Sequence, residues 1–239
     1  MKVFKFGGAS VNSVEAIKNM AHIVADHLDE PLVVVVSAMG KTTNLLERII
    51  PGIPKSDEER KALLKQSKDY HFGIANELLD DGDETFTKLR GLFAELERVS
   101  TSNPGNYNFD YDQTVSYGEL ISTTLISGYL NSIGISNEWV DVRQVIRTDE
   151  NYREGIVDFE TTRRQAQETI NSQFTINHHP RIYCGNRQRD NYHARTRGFG
   201  LQRLYPLLLP RCRQYDHLER RARLPQRRPE VLRKHSEDK

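Results

Sequence analysis

The run Leu32-Val33-Val34-Val35-Val36 constrains this chain more than any other segment. It is five apolar residues long, four of them β-branched, with no polar break. Such a run marks a strand buried on both faces, as in a parallel sheet covered by helices. Parallel pairing needs crossover connections, and the neighbouring sequence supplies one. Residues 2–6 read as a short buried strand. Ser13 stands as an N-cap, with Ala16, Ile17, Met20, Ile23, Val24 and Leu28 at helical spacing behind it. Strand, helix, strand, helix in this order predicts an α/β fold: three layers, α/β/α, around a mainly parallel sheet.

Further along, Ser56-Asp57-Glu58-Glu59 opens a helix reaching Leu79, with an apolar stripe that includes Leu63, Leu64, Phe72, Ile74 and Leu78. Asp80-Asp81-Gly82-Asp83 is a turn, and a second helix carries Phe86, Leu89, Leu92, Phe93 and Leu96. Asn103-Pro104-Gly105-Asn106 breaks it. A third helix is predicted from Asp112 to Ser132, a strand over Ser136–Asp141, and a last helix over Asp158–Ser172.

Each of the first two strands runs into a turn of small residues, Gly7-Gly8-Ala9-Ser10 and Ser37-Ala38-Met39-Gly40. Each turn is expected to open a helix and to present backbone N–H groups at the positive end of its dipole, a seat for phosphate. Gly7, Gly8 and Gly40 offer unhindered backbone; Ser37, Thr42 and Thr43 offer hydroxyls. A plain glycine turn and a plain N-cap, both without ligand, are the alternatives. Lys5, at the end of the first strand, needs an anion beside it or a place at the sheet's rim. Neither the GxxxxGK[ST] nor the GxGxxG pattern is present. Gly118, inside a helical pattern, costs about 1 kcal/mol against alanine and hints at close approach by another group. Spacing alone favours a solvated Glu119 over one that faces a cation such as a substrate ammonium.

The net charge of +1 conceals a split. Residues 1–176 hold 18 basic and 27 acidic side chains, whereas residues 177–239 hold 16 and 6. Fourteen arginines fall between Arg181 and Arg233, and no helical or strand period persists there. The acidic part, 1–176, therefore reads as the folded portion and 177–239 as an unpacked tail. Both cysteines, Cys184 and Cys212, lie in the tail, which fits a reducing cytoplasm. No signal peptide and no membrane span is read, and no membrane partner is expected. His178, His179 and Cys184 match no common zinc spacing, so no metal site is expected. The arginines have no amphipathic arrangement, so no nucleic-acid partner is expected either.

Three motifs in order carry a resemblance: Lys5–Val11 (KFGGASV, usually KFGGTSV), Ser37–Leu46 (SAMGKTTNLL) and Ser116–Thr123 (SYGELIST). Trp139–Thr148 (WVDVRQVIRT) adds to them. The chain resembles the aspartate kinases of the amino acid kinase family over residues 1 to about 176. Ala9 departs from the usual threonine and removes one hydroxyl from the first turn. The resemblance implies transfer of the γ-phosphoryl group of MgATP to the side-chain carboxylate of L-aspartate, the entry to lysine, threonine and methionine biosynthesis. It implies that Lys5 neutralises phosphoryl charge and that Gly7, Gly8, Ser37 and Gly40 hold phosphates. Thr43 and Glu119 would hold aspartate, Glu119 near its ammonium. It allows a homo-oligomer for the intact family member. Another carboxylate kinase of the same fold and a non-catalytic nucleotide-binding fragment stay open as alternatives.

Beyond this point the resemblance implies QGFI, then TTTLGREGSDY, then IWKDVPG and NADP, and none of these stands in residues 177–239. Permitted codons for Pro180–Cys184, displaced by one base, spell QGFI. The same displacement turns Asn191–Arg203 into TTTLGREGSDYS and Asp216–Glu230 into TIWKDVPGCLNADP. The expectation is that the chain leaves its frame between about Phe174 and Pro180 and then ends early. The sheet would then be incomplete on its C-terminal side, and kinase turnover would be low or absent.

Overall fold

The apolar run is a strand with all five residues buried: β2 (Leu32–Val36). It lies beside β1 (Lys2–Phe6), paired in parallel so that Lys5 faces Val35 and Phe6 faces Val36. The structure is a computed structural model that describes residues 2–29, 31–174, 181–184 and 214–217, with side chains through residue 169. Between the strands runs α1 (Val14–Ala25), and Ser13 caps it by accepting a hydrogen bond from the Ala16 N–H. Such a cap contributes about 1 kcal/mol.

After β2 come the short α2 (Thr42–Leu46), the long α3 (Asp57–Leu78) and α4 (Glu84–Ser100). Ser56 caps α3 through the Glu59 N–H, and Asp83 caps α4 through the Thr85 N–H. The third predicted helix divides in two, α5 (Tyr107–Val115) and α6 (Tyr117–Ser132). Asn106 caps α5 through the N–H groups of Asn108 and Phe109, so it starts five residues ahead of the expected Asp112. Ser116 at the junction keeps right-handed helical dihedrals, so a single helical residue rather than a loop separates the two helices. The chain continues through β3 (Glu138–Asp141), two residues shorter at its start than predicted, and α7 (Phe159–Phe174).

The sheet has the order β3-β4-β2-β1-β5, and every pairing is parallel. Two of its strands, β4 (Arg181–Cys184) and β5 (Gln214–His217), come from the arginine-rich part. The remainder of the expected tail lies outside the described residues, as do His178 and His179. Alternation along the strands divides the sheet by face. Phe4, Phe6, Leu32, Val34 and Val36 join the core with residues of α1, α3, α4 and α6. Val3, Lys5, Val33 and Val35 take the opposite face. No helix among the described residues is long and apolar enough to cross a membrane.

Candidate functional site

Both glycine turns leave the carboxyl end of the sheet, the edge where open α/β folds bind ligands. They start side by side, since the Ser37 N–H continues the ladder by donating to the Phe6 carbonyl at 3.1 Å. The first closes as a turn of 3-10 helix over Gly8–Ser10, with the Ser10 N–H donating to Gly7 and the Val11 N–H to Gly8. It does not open α1 directly as expected, because Asn12 and the capping Ser13 intervene. The second turn locks onto the first: the Gly40 N–H donates to the Gly8 carbonyl at 2.9 Å. A Cβ on Gly8 would stand 2.4 Å from the Ala38 carbonyl oxygen, so only glycine permits this approach.

Glu119 departs most from the reading by spacing. It is 2% exposed rather than solvated, and its Oε1 accepts from the Ala38 N–H at 3.4 Å. The reason lies one residue earlier. A Cβ on Gly118 would stand 2.9 Å from Ala38 Cβ, and Leu46 and Thr42 are next nearest. The close approach at this glycine is therefore that of the second turn itself, and it brings the first turn of α6 against the end of β2. Ser122, one turn along α6, donates to the Ser37 carbonyl at 3.0 Å. Thr123 donates to the Glu119 carbonyl at 2.7 Å and accepts from Trp139 Nε1 at 3.0 Å, which ties the fourth motif to the third. Nearby, the buried Asp141 at the end of β3 takes the Arg143 guanidinium on both oxygens.

The expected site residues thus fall into two groups. Gly7, Gly8, Ser37, Gly40 and Glu119 come together through contacts at one edge. Lys5 joins them by register: it lies two residues before Gly7 and pairs with Val35, two before Ser37. That is about 7 Å along the strands from either turn. The residue is 9% exposed, on the face away from the helical core. Thr43 sits half-buried on α2, next to the buried Thr42. Sequence reasoning passed over Ser122, Tyr70 and His71. His71 was visible as a polar residue within the α3 stripe, four residues after Ser67 and three before Ile74. It is completely buried, whereas Phe72, assigned to the stripe, is only half-buried.

Comparison with known proteins places this geometry. The profile of the amino acid kinase family matches residues 1–182. Aspartokinase 2, chloroplastic, of Arabidopsis thaliana is 35% identical over 155 residues, which cover 62% of this chain and 28% of that protein. The chloroplastic bifunctional aspartokinase/homoserine dehydrogenase of Daucus carota is 33% identical over 150 residues, 60% of this chain and 16% of that protein. The chain therefore spans less than a third of the length of these curated relatives. Among solved structures, E. coli aspartokinase III in complex with lysine and aspartate superposes with a TM-score of 0.76 at 24% identity, covering 91% of this chain and 48% of that one. The same enzyme in complex with aspartate and ADP gives 0.67 at 26% identity, covering 77% and 40%.

Proposed function

The chain belongs to the amino acid kinase family, and from that premise we propose that it is the catalytic portion of an aspartate kinase. In this reading an oxygen of the aspartate side-chain carboxylate attacks the γ-phosphorus of MgATP. The bond from that phosphorus to the β–γ bridging oxygen breaks, ADP leaves, and 4-phospho-L-aspartate forms. Among the described residues no group of three His, Cys, Asp or Glu side chains is placed to hold a metal ion. In this reading magnesium enters as part of the nucleotide substrate, and no residue here is assigned to it.

Such a transfer depends on positioning and on compensation of charge over the moving group. Gly7, Gly8, Ser37 and Gly40 are proposed to hold phosphates by backbone and hydroxyl, with Lys5 supplying positive charge. Glu119 is proposed to receive the substrate ammonium, with Thr43 beside the substrate. The observation that carries this reading is the meeting of three separate motifs at one sheet edge: Gly8 against Ala38 and Gly40, and Glu119 on the Ala38 amide. The relative solved with aspartate and ADP supports the same pair of ligands. A cytoplasmic, small-molecule role belongs to this reading, as does a homo-oligomeric intact enzyme.

The test is calorimetric titration with MgATP and with L-aspartate, beside hydroxamate formation from ATP, aspartate and hydroxylamine. Both ligands are expected to bind. Turnover is expected to be low, because the resemblance draws further contacts from GREGSDY and WKDVPG segments that residues 177–239 do not contain. Glu119→Gln should weaken aspartate about 30-fold or more, as loss of one partner of a buried charge pair does, with MgATP affinity nearly unchanged. A chain that binds neither ligand is not this enzyme. Nucleotide binding without any response to aspartate would favour the non-catalytic alternative.

A further inference from the structure

Two neighbouring residues of α3 reach both turns from outside. The Tyr70 hydroxyl donates to the carbonyl of Asn12 at 2.8 Å, on the stretch leading from the first turn into α1. The same hydroxyl lies 3.0 Å from the position a Cβ would take on Gly40, whose φ is +54°, and Asn12 Cβ is the next nearest atom there at 3.5 Å. Asn12, Gly40 and Tyr70 therefore form one three-way junction between the turns.

His71 acts on the other side of the second turn. Its Nδ1 is 2.7 Å from the Ser67 carbonyl, and its Nε2 is 3.4 Å from Thr42 Oγ1. A carbonyl only accepts, so Nδ1 carries the proton and Nε2 accepts from the Thr42 hydroxyl, as assigned from this bonding pattern. The rings of Tyr70 and Phe93 lie 5.0 and 5.9 Å away and fix the imidazole plane. The need for such a support is local. α2 has Lys41 at its N-cap position and no side-chain cap of its own, in contrast to α1 with Ser13.

We infer that Tyr70 and His71 are positioning residues that set the spacing of the two turns, Tyr70 by joining Asn12 to Gly40 and His71 by fixing Thr42 at the start of α2. Both act through the turns, by their contacts with Asn12, Gly40 and Thr42. The functional weight of this device rests on the reading of the turns as the nucleotide's phosphate seat, but its geometry is testable without any ligand.

Amide hydrogen exchange on the full chain without ligand, together with titration by MgATP, tests it with Tyr70→Phe, His71→Asn and His71→Gln. Tyr70→Phe removes one hydroxyl. It should speed exchange in residues 7–12 and 37–43 about fivefold and weaken MgATP by a similar factor, the worth of one hydrogen bond. Exchange in α4 should stay unchanged. His71→Asn, which keeps a donor for Ser67 but loses the Thr42 contact, should speed exchange over residues 40–46; His71→Gln, which restores an acceptor there, should recover part of it. Unchanged exchange in both turns for Tyr70→Phe overturns the inference, as does an equal rise across all helices. If the His71 variants do not fold, Tyr70→Phe alone decides. A wild-type chain that fails to bind MgATP removes the kinase reading, while the exchange pattern still decides for or against the positioning role.

Discussion

The two glycine turns leave the same edge of one sheet, yet they are held in different ways. The first is mostly self-contained: its internal hydrogen bonds run between Gly7, Gly8, Ser10 and Val11, and the helix after it is capped three residues further on by Ser13. Its outside contacts are the Gly40 N–H on the Gly8 carbonyl and Tyr70 on the Asn12 carbonyl. The second borrows its supports. Ala38 bonds Glu119 across 81 residues, Ser37 bonds Ser122 across 85, and Thr42 bonds His71 across 29. A turn closed mainly by its own hydrogen bonds keeps more of its shape before the helical layer docks. A turn held by distant side chains has its shape only when α3 and α6 have docked, so its conformation reports the state of the whole helical layer.

Gly8→Ala should have the largest effect, because it forces the turns apart. The added methyl stands against the Ala38 carbonyl, a backbone atom that cannot swing away. We expect a loss of about 3 kcal/mol, the scale of overpacking in a tight core, and MgATP binding too weak to titrate. Urea unfolding and calorimetry measure both. An unaltered urea midpoint would mean that the turns are not locked together.

Acid should act next, and on the second turn. Burial holds the His71 imidazole down at about 4 against an ordinary 6.5, although the Ser67 carbonyl works the other way. The unfolded chain therefore takes up this proton at a higher pH than the folded one. The contribution to stability is full above pH 6.5 and falls away as the pH drops towards 4, by about 3 kcal/mol in all. His71→Gln should flatten that part of the stability profile, and a profile identical to the wild type would assign the acid sensitivity elsewhere.

Ser122→Ala should cost about 1.5 kcal/mol, the consequence of leaving a partly buried carbonyl short of its donor. Exchange should rise at residues 37–40 and stay level at residues 7–11. Ser13→Ala is the smallest of the set, about 1 kcal/mol, and should fray the first turn of α1 while leaving the second turn as it was. If each of these two substitutions loosened both turns equally, the distinction between a self-contained and a borrowed turn would fail.

The same distinction explains what was legible in the sequence. β1, α1 with its Ser13 cap, β2 and the capped starts of α3 and α4 rest on short-range signals, and each stands where those signals put it. The break at Ser116 was not legible, since Ser116 has helical dihedrals and a helix on both sides. Glu119 was misread for a related reason. Periodicity averages over a helix, and α6 is buried nearly all round, so its pattern carries no information about which side meets which neighbour. The roles of Tyr70 and His71 depend on contacts with Asn12, Gly40 and Thr42, which no local pattern encodes.

Strand order also bears on how this molecule assembles on the ribosome. Among the described residues β3 meets the sheet only through β4, although Trp139 leaves the exit tunnel more than forty residues ahead of Ile182. During that interval a nascent chain can pair β1 with β2 and hold β3 to α6 through Trp139 and Thr123, but β3 has no strand partner. Translation past Cys184 is therefore the event that lets the third strand in sequence be captured, and chaperone contact should concentrate in the window before it.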